Sequence, residues 1–199
     1  PRRARGRTER DNGGVTGRSG ASDVPAPVSF ADEHRPYADL TRPDRRALRD
    51  VLKTAFPIGG SSHALWSEFA DTTAFLRRAT DASGGHPGEE VIGGAIVMGY
   101  PEDQYDYLAY LAIHPEHRYR RRLFPRTAEP HHGTALLRTV YDVMRDRVGP
   151  SRPQRYLMIE PAGEDALRFY LRALPSNEYP VRFHREDRVL SVGYDGFAL

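Results

Sequence analysis

The side chains with the most chemistry to offer lie between residues 114 and 137. The segment EPHHGTALL, residues 129–137, reads as a turn running into a helix. A helix start presents unpaired backbone N–H groups and a partial positive charge, which suit a phosphate. Turns that wrap phosphates usually carry several glycines, because glycine lets the backbone approach the oxygens closely. This one has Gly133 alone, behind His131 and His132. Just upstream, HRYRRRLFPRT (117–127) supplies Arg118, Arg120, Arg121, Arg122 and Arg126. Guanidinium is a good phosphate partner, so these arginines read either as phosphate ligands or as an ordinary solvated loop, with equal weight. His114, His117, His131 and His132 raise the question of a metal. No cysteine or acidic side chain stands at a recognised metal spacing, however, and adjacent histidines do not easily share one tetrahedral ion. No metal is expected.

Composition narrows the classes. The chain has 199 residues, enough for one domain with a substantial core plus a tail. It has no cysteine, which removes disulfides, thiolate metal sites and cysteine nucleophiles together. No apolar run approaches the ~20 residues that span a bilayer, and no secretory signal is visible. A cytoplasmic protein without a membrane partner is the expectation. The pI near 9.0 comes from the tail: residues 1–20 hold six arginines against Glu9 and Asp11, and the remainder is slightly acidic. General nucleic-acid binding is therefore not expected. Of the 29 basic residues only Lys53 is lysine, a bias that points to a GC-rich genome more than to a function.

Elements must position these residues. Residues 1–28, rich in Gly, Arg, Ser and Pro without apolar periodicity, predict a disordered basic extension, and a single domain follows over 29–199. TRPDRRALRDVLKTAF (41–56) predicts a helix capped by Thr41, with Leu48, Val51, Leu52 and Ala55 on one stripe. A short helix around HALWSEF would put Leu65, Trp66 and Phe69 on one side. Strands are predicted at 72–80 and 89–100, pairing as a hairpin, and at 105–115. The last, YDYLAYLAIHP, is apolar at nearly every position, which predicts burial on both faces and helices on both sides of the sheet. A helix from Gly133 to about Val148, a strand at 154–161, a helix at 164–174 and a closing hairpin complete the chain.

This order of elements, with YLAIHPEHR, HGTALL and ALRFYLRAL in sequence, resembles the GCN5-related N-acetyltransferase family. Leu111, Ala112, Ile113, His114, Pro115 and Arg118 match the family's central strand and the segment after it. Gly133, Ala135, Leu136 and Leu137 match its cofactor-helix start, and Ala166, Phe169 and Tyr170 match a later helix. The resemblance implies an α/β (α+β) fold with a central mixed, mostly antiparallel sheet flanked by helices on both faces. The family's cofactor loop has the form R/Q-x-x-G-x-G/A. Here His131 takes the place of its middle glycine and Ala128 that of its leading residue, and about a dozen residues are inserted between Arg118 and His132.

The resemblance also implies an activity: an amine attacks the thioester of acetyl-CoA directly, with no covalent enzyme intermediate. Backbone N–H groups near Leu111 and Ile113 would polarise the thioester carbonyl. The phosphates would lie on Arg120, Arg121, Arg122, His132, Gly133, Thr134 and Ala135. Tyr170 falls where the family places a general acid for the departing thiolate, although with Leu167, Leu171 and Leu174 it also fits an apolar helix stripe. Tyr107 falls where a catalytic Glu or His often stands, and as a phenol it suits a relay better than a base. Glu160, at a strand end, is a candidate base or an ion-pair partner of Arg155 or Arg168. Asp106 should face away from Tyr107. The acceptor would be a small-molecule amine, shaped by Trp66, Phe69 and the last hairpin. The competing readings are a binding or regulatory module that has lost turnover, an enzyme acting on a carrier-protein thioester or on another reaction, and a binder of nucleic acid or an acidic partner. A homodimer is left open.

Overall fold

The computed structural model describes residues 28–57, 66, 71–81, 90–118 and 131–194. Seven strands form one sheet: β1 (Val28–Pro36), β2 (Thr72–Asp81), β3 (Glu90–Tyr100), β4 (Tyr105–Ile113), β5 (Tyr156–Ile159), β6 (Val181–His184) and β7 (Val189–Gly193). Their spatial order is β1-β2-β3-β4-β5-β7-β6. Neighbours are antiparallel except β4 and β5, which are parallel. The helices are α1 (Arg42–Lys53), the single turn α2 (Pro115–Arg118), α3 (His132–Asp146) and α4 (Glu164–Ala173).

Local sequence explains most of these elements. The Thr41 hydroxyl accepts from the Asp44 N–H at 3.3 Å and caps α1, with Pro43 in its first turn. Leu48, Val51 and Leu52 face inward as predicted, while Ala55 lies past the helix end. They seat α1 on β3 at Gly94, where a Cβ would collide with Leu48 Cδ1. Trp66 joins this layer, buried edge-on against Tyr37 and Tyr110; Leu65 and Phe69 lie outside the described residues. On the opposite face Leu136, Leu137, Val140, Tyr141 and Met144 of α3 pack with Leu108, Ile113, Leu157 and Ala173. Helices thus flank both faces of a mixed, mostly antiparallel sheet.

Three expectations need correction. β1 has no counterpart among the predicted strands: VSFADEHRP is a polar edge strand with no regular apolar alternation. β4 is not buried throughout, since Tyr105 and Tyr107 are half-buried on a face that α1 does not fully cover. Val148, expected near the end of the helix from Gly133, and Leu171, placed on an apolar stripe by spacing, are 39% and 42% exposed, because α3 ends at Asp146 and the α4 contact runs through Leu167, Tyr170 and Leu174.

Two irregularities shape the sheet around β4. Ile96 pairs with Tyr110 and Val97 with Leu108, so Ala109 is an extra residue bulging from β4. The bulge resets the alternation and puts Tyr110 on the same face as Tyr107, with Leu111 and Ile113 on the α3 side. β4 also pairs with β5 only from Tyr105 to Leu108. Beyond Leu108 no described strand follows that edge of β4, and the sheet opens.

Candidate active site

The opening in the sheet has one edge of β4 as its wall. The His114 N–H donates to Ile92 O on β3 at 2.7 Å. Backbone N–H groups alternate in direction along a strand, so those of Ile113 and Leu111 point toward the opening. The Ile113 carbonyl on that edge accepts from Arg118 Nε at 2.5 Å, and the same guanidinium reaches Thr54 Oγ1 at 3.1 Å. Arg118 therefore ties the end of β4 to the end of α1.

The start of α3 meets β4 and α4 at Gly133. A Cβ there would stand 3.3 Å from the Phe169 ring and 3.7 Å from Ile113 Cγ1, so glycine permits this close approach. His131 occupies the N-cap without a side-chain capping bond. Ala135 N–H already donates to His131 O at 2.9 Å, so the helix's own bonding begins there and the N–H groups of Gly133 and Thr134 point out of its start. Ala135, predicted among the phosphate donors, is thus engaged within the helix. The His132 ring is turned toward β1 and β2. It lies 4.3 Å from the Phe30 ring, and its Nδ1 accepts from Arg77 Nε at 3.3 Å. Arg77 Nη1 in turn bonds both Asp32 oxygens at 2.9 Å, and Thr139 Oγ1 donates to Asp32 Oδ2 at 2.7 Å. Sequence spacing gave no sign of this relay, since Arg77 and His132 are 55 positions apart. Arg120, Arg121, Arg122 and Arg126 lie outside the described residues.

Two of the three predicted catalytic side chains, Tyr107 and Glu160, meet beside the opening, and the third, Tyr170, feels the Tyr107 phenol electrostatically. The Tyr107 hydroxyl donates to Glu160 Oε2 at 3.2 Å. Burial pushes the Tyr107 phenol up to about 12, and the Glu160 carboxylate adds to the shift. Tyr170, half-buried on α4, is also pushed up to about 12, first by burial and then by Tyr107. Both phenols therefore hold their protons throughout the neutral range. Glu160 is exposed, and its partner is Tyr107; Arg168 pairs with Glu164 instead. The arrangement can hold a cation or accept a proton at Glu160 and give a proton at Tyr170.

Asp106 faces away from Tyr107, as predicted. It is fully buried, paired with Arg152 and bonded by the Tyr194 hydroxyl at 2.8 Å. Arg152 also reaches Asp71 at 3.3 Å. This buried cluster lies at the opposite end of β4 from Gly133. Among the described residues no three His, Asp or Glu side chains converge as a metal site.

The architecture, with its parallel β4–β5 pair splitting beside a helix start, is the fold of the GCN5-related N-acetyltransferases. The crystal structure of Tetrahymena GCN5 is similar over 85% of this chain and 98% of that chain, with a TM-score of 0.52 and 14% identity. The catalytic domain of the Tetrahymena GCN5 histone acetyltransferase, in complex with coenzyme A, aligns over 84% of this chain and 92% of that one, with a TM-score of 0.44 and 14% identity. No family model and no curated protein matches the sequence. The likeness is one of fold.

Proposed function

We propose that this protein is an acyl-CoA-dependent N-acyltransferase that uses acetyl-CoA to acylate an amine of a small molecule by direct attack. The observation that carries this reading is the convergence at one opening of three different groups. These are the outward N–H groups of Leu111 and Ile113, the first turn of α3 against Gly133, and the Tyr107–Glu160 pair near Tyr170. The residues fit the co-substrate: helix-start amides suit phosphate oxygens, and two edge amides suit a carbonyl that gains negative charge. His132, Gly133 and Thr134 would hold the phosphates through the backbone, helped by Arg120, Arg121 and Arg122 just ahead of the helix in sequence. Acetyl-CoA supplies an activated acyl group on a thiol.

The chain's own residues then have distinct work. Glu160 attracts the ammonium form of the acceptor and takes up its proton. Tyr107, protonated and bonded to Glu160, is a relay and an orienting group rather than a base. Tyr170, protonated, gives a proton to the departing thiolate. A second reading has one observation in its favour. The His132 ring is committed to Phe30 and Arg77 and the turn has no second glycine, which suits a module that binds without turnover.

Thiol release from acetyl-CoA with amine acceptors tests the proposal. Tyr170→Phe should lower kcat by ~10²-fold with KM nearly unchanged, because the hydroxyl acts only as the thiolate leaves. Coenzyme A binding with no thiol release from any amine would favour the binding module.

A further inference from the structure

The face of the sheet that carries Tyr107 holds four more half-buried tyrosines: Tyr100, Tyr105, Tyr110 and Tyr156. Three stand in register, since Tyr100 pairs with Tyr105 and Tyr105 with Tyr156. Their rings are nearly parallel, with centroids 4.9 Å and 5.9 Å apart. In the next row Tyr107 lies between Met98 and Met158. Tyr110, brought to this face by the Ala109 bulge, closes one end edge-on against Phe56 and Trp66. The result is an aromatic and thioether floor that runs along β4 to the opening.

Among the described residues, the charged groups that act on these hydroxyls are carboxylates. Glu160 accepts from Tyr107, and Asp103 acts electrostatically on the Tyr105 hydroxyl; both carboxylates are exposed. Arg182 stands two strands beyond Met158, past Ser191. Cross-strand aromatic pairs stabilise a sheet by themselves. That role, however, calls neither for carboxylates at the hydroxyls nor for a place beside an opening. Ring spacings of 4.9 Å and 5.9 Å leave no room to insert a ring between the tyrosines, so a ligand must lie across them. Aromatic edges and methionine sulfur favour a flat aromatic body, and phenols with carboxylates favour an ammonium group.

We propose that this face is the acceptor subsite and takes a primary amine carried on an aromatic body, with the ammonium toward Glu160 and Tyr107 and the ring over Tyr105, Tyr156 and Met158. Its role as acceptor subsite rests on the transferase reading, whereas the binding does not. Binding is therefore measured first, on the full chain without coenzyme A, by NMR titration with two tertiary amines that cannot be acylated. N,N-dimethylphenethylamine should bind about 3–10-fold more tightly than N,N-dimethylhexylamine, the range for one aromatic contact. Tyr156→Leu should abolish that preference, and Tyr156→Phe, which keeps the ring, should retain it. Equal binding of the two probes, no binding of either, or a preference that survives in Tyr156→Leu would overturn the subsite. Thiol release is then compared for phenethylamine and hexylamine. Aryl-selective binding without thiol release sinks the transferase reading and leaves the subsite standing. Transfer without aryl preference does the reverse.

Discussion

A phenol held near pH 12 is a proton donor at any pH the protein is assayed at, and Tyr170 and Tyr107 are both such groups. What separates them is contact. Tyr107 donates to Glu160, whereas Tyr170 packs on the α3-side core beside the opening. If Tyr170 is the acid, kcat should show no alkaline fall assignable to it below about pH 11, because its pKa is raised to about 12 by burial and the nearby phenol. A limb near pH 9 that vanishes in Tyr170→Phe would contradict this. Glu160→Gln keeps the shape but removes the charge. It should cost ~10²-fold in kcat/KM, the usual scale for losing a general base, and retained activity would move the base elsewhere. The Tyr107–Glu160 contact joins two residues that the sequence singled out, Tyr107 because the family resemblance places a catalytic position there and Glu160 because it ends a strand. The Arg77–Asp32–Thr139 relay behind His132 was not legible there, because its partners come from three distant elements.

Helix positions follow the sequence where a cap is present, as at Thr41, or where one face is apolar, as along α3. β1 escaped because an edge strand whose contacts are Phe30, Asp32 and His34 shows no hydrophobic period. The Ala109 bulge and the β4–β5 split, which make the site, are matters of pairing and leave no periodic trace. Close approach of α1 to β3 depends on Gly94, so Gly94→Val should destabilise by about 1–3 kcal/mol through overpacking against Leu48. Denaturant melts of the variant measure this, and an unchanged midpoint would show that α1 shifts freely. At the far end of β4, burial raises the Asp106 carboxyl from 3.8 to about 6, partly offset by Arg152 and Tyr194. The folded state therefore holds this proton more firmly than the unfolded chain. The stabilising contribution is complete below pH 3.8 and is lost as pH rises through about 6. The stability of wild type minus that of Asp106→Asn should fall by on the order of 2–3 kcal/mol between pH 4 and pH 7. A flat or rising difference would contradict the raised value.

At the scale of the molecule, no described helix is long and apolar enough to cross a membrane, and the net positive charge comes from the first 20 residues. That segment has too little apolar content to add to a core, so deleting residues 1–27 should leave Tm within a few degrees. Scanning calorimetry of the truncated chain checks it, and a larger loss would show that the segment packs on the domain. The proposed function requires that this fold still take a coenzyme A thioester although its helix start has one glycine and an arginine-rich insertion precedes it in the sequence. Isothermal titration with coenzyme A at low and at raised salt tests it most directly. Binding should be 1:1 and weaken with salt, since guanidinium–phosphate contacts near solvent are screened. The Arg120→Ala, Arg121→Ala, Arg122→Ala triple variant should lose a further ~1–3 kcal/mol, the range for lost charge-assisted hydrogen bonds. No coenzyme A binding by the wild-type chain even at low salt would contradict it.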